Sequence, residues 1–314
     1  MINISIIGLG LMGQNHLRVI SEFKDVKINY LYDKNLKKIK KLSKKYNLKY
    51  TSNLKDILKS SNAVIIASPT KTHYFYINYF LKTNINLFIE KPIVSNLKQA
   101  LDLKKKIKNK KLQCGFIERF NSVYLELSKF FKKNNVINVN FIRTDKLSSR
   151  IKDVDVIHDL MIHDIDLAIN WNGKVKKIYA HGYKQLNKVV FATAFLKHEN
   201  GVISKLEASR ITQKKIRQIN LTTLKEYVSA NLILKDITIN KQTNLNISNI
   251  KNKPIVVSST EEKVLVNQYE ALKQELMEFF KFCKNNKVKI PDFYESLYNL
   301  KICKKIEESI EKNL

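Results

Sequence analysis

Cysteine is nearly absent from this chain of 314 residues, and proline, glycine and tryptophan are scarce as well. The three cysteines, Cys114, Cys283 and Cys303, are odd in number, widely scattered and never spaced as CxxC. That excludes a disulfide framework and a cysteine-rich metal knuckle, and suits a reducing compartment with structural thiols. No apolar run approaches the ~20 residues that a bilayer-spanning helix needs. The first strand-like segment begins at residue 2 and runs into a glycine turn, without a basic leader or a small-residue cleavage site, so a cytoplasmic location is expected. Neither a nucleophile elbow nor a phosphate-binding P-loop occurs.

Acidic residues are also few: 28 Asp and Glu stand against 57 Lys and Arg, a formal charge of +29. Such a surplus raises the question of nucleic acid. The lysines, however, recur at helical surface spacing, as in DKNLKKIKKLSKKYN (33–47), and are not interleaved with stacking aromatics in one patch. Lys, Asn and Ile are all abundant together, the bias expected of AT-rich coding. The charge therefore reads as a solvated surface that favours anionic small molecules, with no specific nucleic-acid partner and no membrane association.

What is present is a regular alternation. Apolar runs at 2–7, 26–32, 63–67, 86–89 and 111–116 read as buried strands, with helical patterns at 13–24, 34–46, 73–83 and 96–109 between them. Strands alternating with helices imply a parallel, doubly wound sheet, with ligands at the carboxyl ends of its strands. From about residue 119 the pattern changes. A helix at 120–133, a strand near 136–144 and a helix near 155–171 precede period-two segments at 175–183, 188–197, 202–210, 214–224 and 227–233. These read as a large antiparallel or mixed sheet. Residues 240–262 read as a long irregular loop, and helices at 265–285 and 293–312 close the chain. Two domains are expected, 1–118 and 119–314.

Three of the seven glycines fall in one turn, IGLGLMGQNHLRV (7–19), after the first apolar run. Gly8-x-Gly10-x-x-Gly13 thus follows a strand and opens a helix, the context in which the pattern signals a dinucleotide. Gly8 permits the tight turn, Gly10 lets the backbone approach a pyrophosphate, and Gly13 lets helix and strand pack closely. The phosphates then meet free N–H groups at the helix N-terminus. The second strand ends in YLYDK, placing Asp33 twenty residues after Gly13. A carboxylate there accepts from an adenosine ribose and repels a 2′-phosphate, so NAD is favoured over NADP.

Two more loops fall at strand ends. ASPTKTH (67–73) places Ser68, Pro69 and Thr70 at the cofactor crevice, and FIEKP (88–92) puts Glu90 and Lys91 at a carboxyl edge before Pro92. Leu11, Met12 and His73 complete the expected cofactor lining. Further on, VIHDLMIHDIDLAINW (156–171), read as one helix, places Asp159, His163 and Asp166 at i, i+4 and i+7 on one face. A carboxylate one turn from an imidazole fixes its tautomer and raises its basicity, as a general base requires. The same pair at i, i+4 also suits zinc, but no cysteine or third ligand stands at suitable spacing and His158 points elsewhere on such a helix, so no metal is expected.

GLGLMGQNHLRV, EKP (90–92), GFIERFN (115–121) and DLMIHDID (159–166), in this order, resemble the glucose–fructose oxidoreductase / inositol dehydrogenase / MocA family over nearly the whole chain. The resemblance implies an N-terminal Rossmann domain that binds NAD(P), and a C-terminal domain on a large open sheet that often forms the oligomer interface, hence a homodimer or homotetramer. It implies a catalytic lysine at Lys91 and an Asp–x–x–x–His pair at Asp159 and His163. GFIERFN, VIHDLMIHDID and EASRITQKKIRQINL (207–221) look most like the nucleotide-sugar members, those that oxidise the C3 hydroxyl of UDP-N-acetylglucosamine to a ketone which a partner aminotransferase can use. The chain departs from much of the family in lacking a glycine run before the Asp–x–x–x–His helix, where it has DVDVIH (153–158).

The expected activity is NAD-dependent oxidation of a sugar secondary hydroxyl. His163 takes the proton, Asp159 orients it, and Lys91 stabilises the reacting oxygen. Arg119 and Asn121 are candidates for substrate contact, and Arg210 and Lys215 for a diphosphate, with a salt bridge the alternative reading for these last two. A free sugar or inositol is the alternative substrate, and a non-catalytic NAD-binding sensor the alternative role.

Overall fold

The protein is described as a computed structural model over residues 1–107, 112–133, 135–146, 155–242 and 259–313. Its first stretch alternates β1 (Ile2–Ile7), α1 (Leu11–Ile20), β2 (Val26–Tyr32), α2 (Leu36–Tyr46), α3 (Leu54–Ser60), β3 (Ala63–Ile66), α4 (His73–Phe80), β4 (Asn86–Glu90), α5 (Leu97–Lys106) and β5 (Leu112–Gly115). There follow α6 (Ser122–Lys133), β6 (Asn138–Thr144), α7 (Ile162–Asn172), β7 (Val175–Gln185), β8 (Lys188–His198), β9 (Ile203–Ser209), β10 (Ile216–Thr222), β11 (Glu226–Asn231), β12 (Asp236–Gln242) and β13 (Ser259–Val264). The helices α8 (Ala271–Cys283) and α9 (Phe293–Lys312) come last.

The chain divides into two units, Met1–Phe120 with Glu270–Ile302, and Asn121–Tyr269 with Cys303–Leu314. In the first, β1 to β5 form a parallel sheet in the order β2-β1-β3-β4-β5. Its strands are near-continuous apolar runs because both faces are covered. The order reverses between β1 and β3, which opens a crevice at the carboxyl ends of those two strands. The expected boundary after residue 118 lies close to the observed one, but the division into two continuous domains needs correction. α8 belongs to the first unit, since Leu272, Leu276, Phe279 and Phe280 join the core of Ile4, Ile6, Leu17 and Phe88. An amphipathic helix far along the chain completes the cover of the sheet, which local periodicity cannot reveal.

The second unit carries an eight-stranded mixed sheet, β13-β12-β11-β10-β6-β9-β8-β7. Every pairing is antiparallel except β6 with β9. Val139, Phe141, Ala192, Ala194, Leu206, Ala208, Ile219 and Leu221 alternate inward and are buried. Trp171 at the end of α7 stacks on Tyr124 of α6 at 4.6 Å and donates from its indole to Ser128 Oγ at 2.8 Å. The end of α9 lies against β7, where the Ala180 N–H donates to Ser309 Oγ at 2.9 Å.

Three expectations change. α3 is an additional short helix, capped by Asn53, whose side chain accepts from the Lys55 N–H. The irregular stretch expected at 240–262 contains the end of β12 and part of β13, while 243–258 lie outside the described residues. β13, STEEKV, is a polar edge strand with almost no apolar alternation to betray it. The helix expected over 155–171 is not uniform: Ile157–Met161 form a π-turn and regular α-helix begins at Ile162.

Candidate active site

The glycine turn is built as its spacing implies. Gly8 has φ +89°, and a Cβ there would stand 2.4 Å from the Ser68 backbone nitrogen. At Gly13 a Cβ would stand 1.9 Å from the Gly8 carbonyl oxygen. Those two glycines seat α1 against β1 and the loop after β3. Gly10 differs, because nothing lies within 4 Å of a Cβ built on it. It caps α1 without any side-chain hydrogen bond, and the first turn holds no acidic residue. A helix N-terminus without a side-chain cap, beside the open space at Gly10, fits a pyrophosphate.

Asp33, at the end of β2, is tied to this turn. Its Oδ2 accepts from the Leu9 N–H at 2.6 Å and its Oδ1 from the Asn35 N–H at 2.8 Å. The carboxylate is held half-buried beside the glycines, fit for a ribose. Leu11 is exposed, Met12 half-buried, and Pro69 exposed, with Ser68 and Thr70 half-buried between β3 and α4. Ser68 Oγ lies 2.7 Å from Thr72 Oγ1.

His73 is buried and holds two loops. Nε2 lies 2.8 Å from the Ser68 carbonyl and Nδ1 3.0 Å from that of Pro92. Burial pushes its pKa below the ordinary value, and the two carbonyl contacts only partly offset this. The side chain bridges the turn after β3 and the Lys91–Pro92 turn after β4. Glu90 and Lys91 are half-buried at the carboxyl edge of β4, as expected. Glu90 Oε1 lies 2.7 Å from Nε2 of His16, a residue of α1 that sequence reasoning passed over. The only available signal was its place three residues after Gly13.

In the second unit, Asp159 falls inside the π-turn and His163 in the first turn of α7. A π-turn advances by more than four residues per revolution, so the angular offset between the two departs from that of a straight α-helix. Both are half-buried, whereas Asp166 is fully buried. Asp159 Oδ2 accepts from Arg210 Nη2 at 2.7 Å, and Arg210 is itself buried. Arg210 thus forms a salt bridge to Asp159. Beneath α7, Arg143 and Asp164 form a buried two-pronged pair, Nε to Oδ2 at 2.9 Å and Nη2 to Oδ1 at 2.7 Å. Neither residue was singled out in the sequence. Arg217, whose pKa burial and the Arg143 charge lower, donates to Asp145 at 3.0 Å.

Two of the remaining substrate candidates make contacts in the structure. Arg119 donates to Glu295 at 2.9 Å within the first unit, and Asn121 accepts from the Val123 N–H at 3.1 Å at the start of α6. Lys215 is exposed. Of the DVDVIH segment, residues 153 and 154 lie outside the described residues. No described helix is long and apolar enough to cross a membrane.

Residues 2–117 match the oxidoreductase family with an NAD-binding Rossmann fold, and residues 140–223 match the GFO/IDH/MocA C-terminal domain. The chain is 24% identical over 238 residues to the UDP-N-acetylglucosamine 3-dehydrogenase of Acidithiobacillus ferrooxidans, covering 73% of each chain. It is 22% identical over 227 residues to a Bacillus subtilis scyllo-inositol 2-dehydrogenase (NAD(+)), covering 66% of each. The solved structure of the Acidithiobacillus enzyme superposes with a TM-score of 0.86 at 21% identity, over 99% of this chain and 98% of that one. A levoglucosan dehydrogenase in complex with NADH gives 0.83 at 14% identity, over 99% and 97%. The glycine turn, the Glu90–Lys91 strand end and the mixed sheet thus belong together, and this chain is a member of the GFO/IDH/MocA family of NAD-binding oxidoreductases.

Proposed function

We propose that the protein is an NAD-dependent dehydrogenase that oxidises a secondary hydroxyl of a nucleotide sugar, UDP-N-acetylglucosamine at C3 being the first candidate. The observation that carries the cofactor half of this reading is Gly10, where a helix N-terminus without a side-chain cap adjoins open space. The substrate half is supported by likeness to the Acidithiobacillus enzyme over both units. Asp33 would hold the adenosine ribose, which favours NAD over NADP.

Bound NAD supplies the hydride acceptor. His163 takes the hydroxyl proton as the C–H bond breaks. Asp159, held at one oxygen by Arg210, orients the imidazole and stabilises its charged form. Lys91 hydrogen-bonds the reacting oxygen and offsets its developing negative charge. The basic surface favours approach of a diphosphate substrate, with Lys215 available to it. The reading places the enzyme in the cytoplasm. An aminotransferase acting on the keto product is its expected functional partner.

Self-association through the open face of the eight-stranded sheet is part of the same reading. Tyr179 and Phe195 are paired across β7 and β8, and with Tyr183 they are exposed there. Exposed aromatics on a sheet face suit a homodimer or homotetramer.

The test is absorbance of reduced nicotinamide with purified protein, NAD, a ketone trap and a panel of UDP-N-acetylglucosamine, its uronate, free hexoses and inositols. Reduction with a nucleotide sugar, lost in Lys91→Ala and His163→Ala, supports the proposal. Reduction with inositol alone would replace the substrate by a polyol, which the likeness to the scyllo-inositol enzyme favours as second reading. Tight NAD binding with no turnover of any panel member would point to a sensor.

A further inference from the structure

Asp155, His158 and Glu307 converge within the second unit, at the turn that also carries Asp159 but with none of the three assigned above to proton transfer. Each offers one ligand atom, and the three atoms lie within 4.8 Å of one another. His158 Nδ1 stands 3.2 Å from Asp155 Oδ2 and 3.4 Å from Glu307 Oε1. A single N–H cannot serve two carboxylates. Even a protonated imidazole offsets only one of the two carboxylate charges in this half-buried place. A divalent cation resolves both problems at once.

The distances favour a particular geometry. Bonds of about 2.0–2.1 Å from zinc to nitrogen and oxygen give tetrahedral ligand–ligand edges of about 3.3–3.4 Å. The two His158–carboxylate edges, 3.2 and 3.4 Å, are compatible with that value, and all three ligand atoms lie within 4.8 Å of one another.

The outer partners are also in place. Asp155 Oδ1 is committed to the Ile157 and His158 N–H groups, at 2.8 and 2.9 Å, which leaves Oδ2 as the ligand atom. Glu307 Oε2 lies 3.4 Å from Lys304 Nζ, which leaves Oε1 facing the imidazole. Such outer contacts aim ligands in established metal sites. Asp155 and Glu307 also line a cavity of about 540 Å³, which has room for water as the fourth ligand. The cavity lining holds four lysines and four carboxylates, so its charges balance and do not repel a cation.

We propose that Asp155, His158 and Glu307 form a tetrahedral site for a divalent ion of the zinc class, with water completing it. The ion would clamp the start of the π-turn to α9. The site is independent of the NAD reading. It was hidden in the sequence because Glu307 lies 149 residues beyond His158.

The experiment uses full-length protein stripped of metal by a chelator. Zn²⁺ is titrated in competition with a chromophoric chelator, Co²⁺ serves as the spectroscopic probe, and melting is followed with and without Zn²⁺. The expected result is one equivalent of tightly bound Zn²⁺, visible Co²⁺ bands of tetrahedral intensity, and a rise in melting temperature with metal. Glu307→Gln should weaken Zn²⁺ binding at least about tenfold and His158→Gln should abolish the Co²⁺ bands. Glu307→Gln exchanges a half-exposed surface group, so it separates ligand loss from misfolding, with circular dichroism confirming the fold of both variants. No stoichiometric uptake by the wild type, or uptake unchanged in both variants, would overturn the proposal. The cluster would then be a protonated imidazole between two carboxylates.

Discussion

His16 Nε2 and Glu90 Oε1 stand 2.7 Å apart, joining the helix that follows the glycine turn to the residue just before Lys91. His16 is fully buried and its Nδ1 has no hydrogen-bond partner among the described residues, so the proton belongs on Nε2, which donates to Glu90. Replacing Glu90 by Ala leaves that buried N–H without an acceptor, a loss of about 1–3 kcal/mol. Lys91 also loses the anchor of its neighbour. Glu90→Ala is expected to lower the melting temperature and kcat together, and NAD affinity less; calorimetry and steady-state kinetics measure both.

The glycines of the turn should separate under substitution. Gly13→Ala drives a methyl group into the Gly8 carbonyl and is expected to destabilise the fold by about 3 kcal/mol or more. Gly10→Ala meets no protein atom, so its melting temperature should stay near wild type while NAD affinity falls about tenfold or more. Thermal melts alongside NADH fluorescence titrations distinguish the two. An unchanged affinity in Gly10→Ala would count against a pyrophosphate at that helix end.

Arg210→Met removes the partner of Asp159 Oδ2. Hydrogen bonds to charged groups are worth about 1.5–3 kcal/mol, so a stability loss of that size is expected. Asp159 then loses one of the contacts that set its orientation, and kcat should drop about tenfold with a smaller change in KM. Equal kcat in variant and wild type would reduce the pair to a structural contact.

Acid should weaken the fold through two buried imidazoles. Burial lowers the pKa of both His73 and His198 in the folded protein, and carbonyl contacts only partly offset it. On unfolding, each takes up a proton below about pH 6.5, while the folded protein resists charging until lower pH. The unfolded state then binds more protons, so this contribution is fully present above about pH 6.5 and is lost as pH falls. Urea midpoints at neutral and mildly acidic pH should show that decline, and His198→Gln should show a shallower one.

Much of the first unit is written locally. The runs Ile2–Ile7 and Ala63–Ile66, the glycines at 8, 10 and 13 and the acidic residue at 33 each depend on neighbours a few positions away, because strand burial and turn conformation are short-range requirements. The strand-end position of Lys91 and the succession Asp159–His163 were legible for the same reason. The edge strand β13 was not, since its outward polarity leaves no alternation to read.

The remaining features depend on contacts between distant segments. Gly8 meeting Ser68, His16 reaching Glu90, Arg210 pairing with Asp159, Arg143 with Asp164, and Glu307 approaching His158 are pairings over 21 to 149 residues. Charge and residue type supply many possible partners for each, and only the packed sheets and helices choose among them. The π-turn at Ile157–Met161 belongs to the same class, because tertiary packing overrides the four-residue spacing that the sequence suggests. The sequence by itself therefore determined the cofactor turn, the alternating first unit and the chemistry-bearing residue types. Tertiary structure decided which side chains hold them in place, because that choice depends on burial and on pairings that no local pattern encodes.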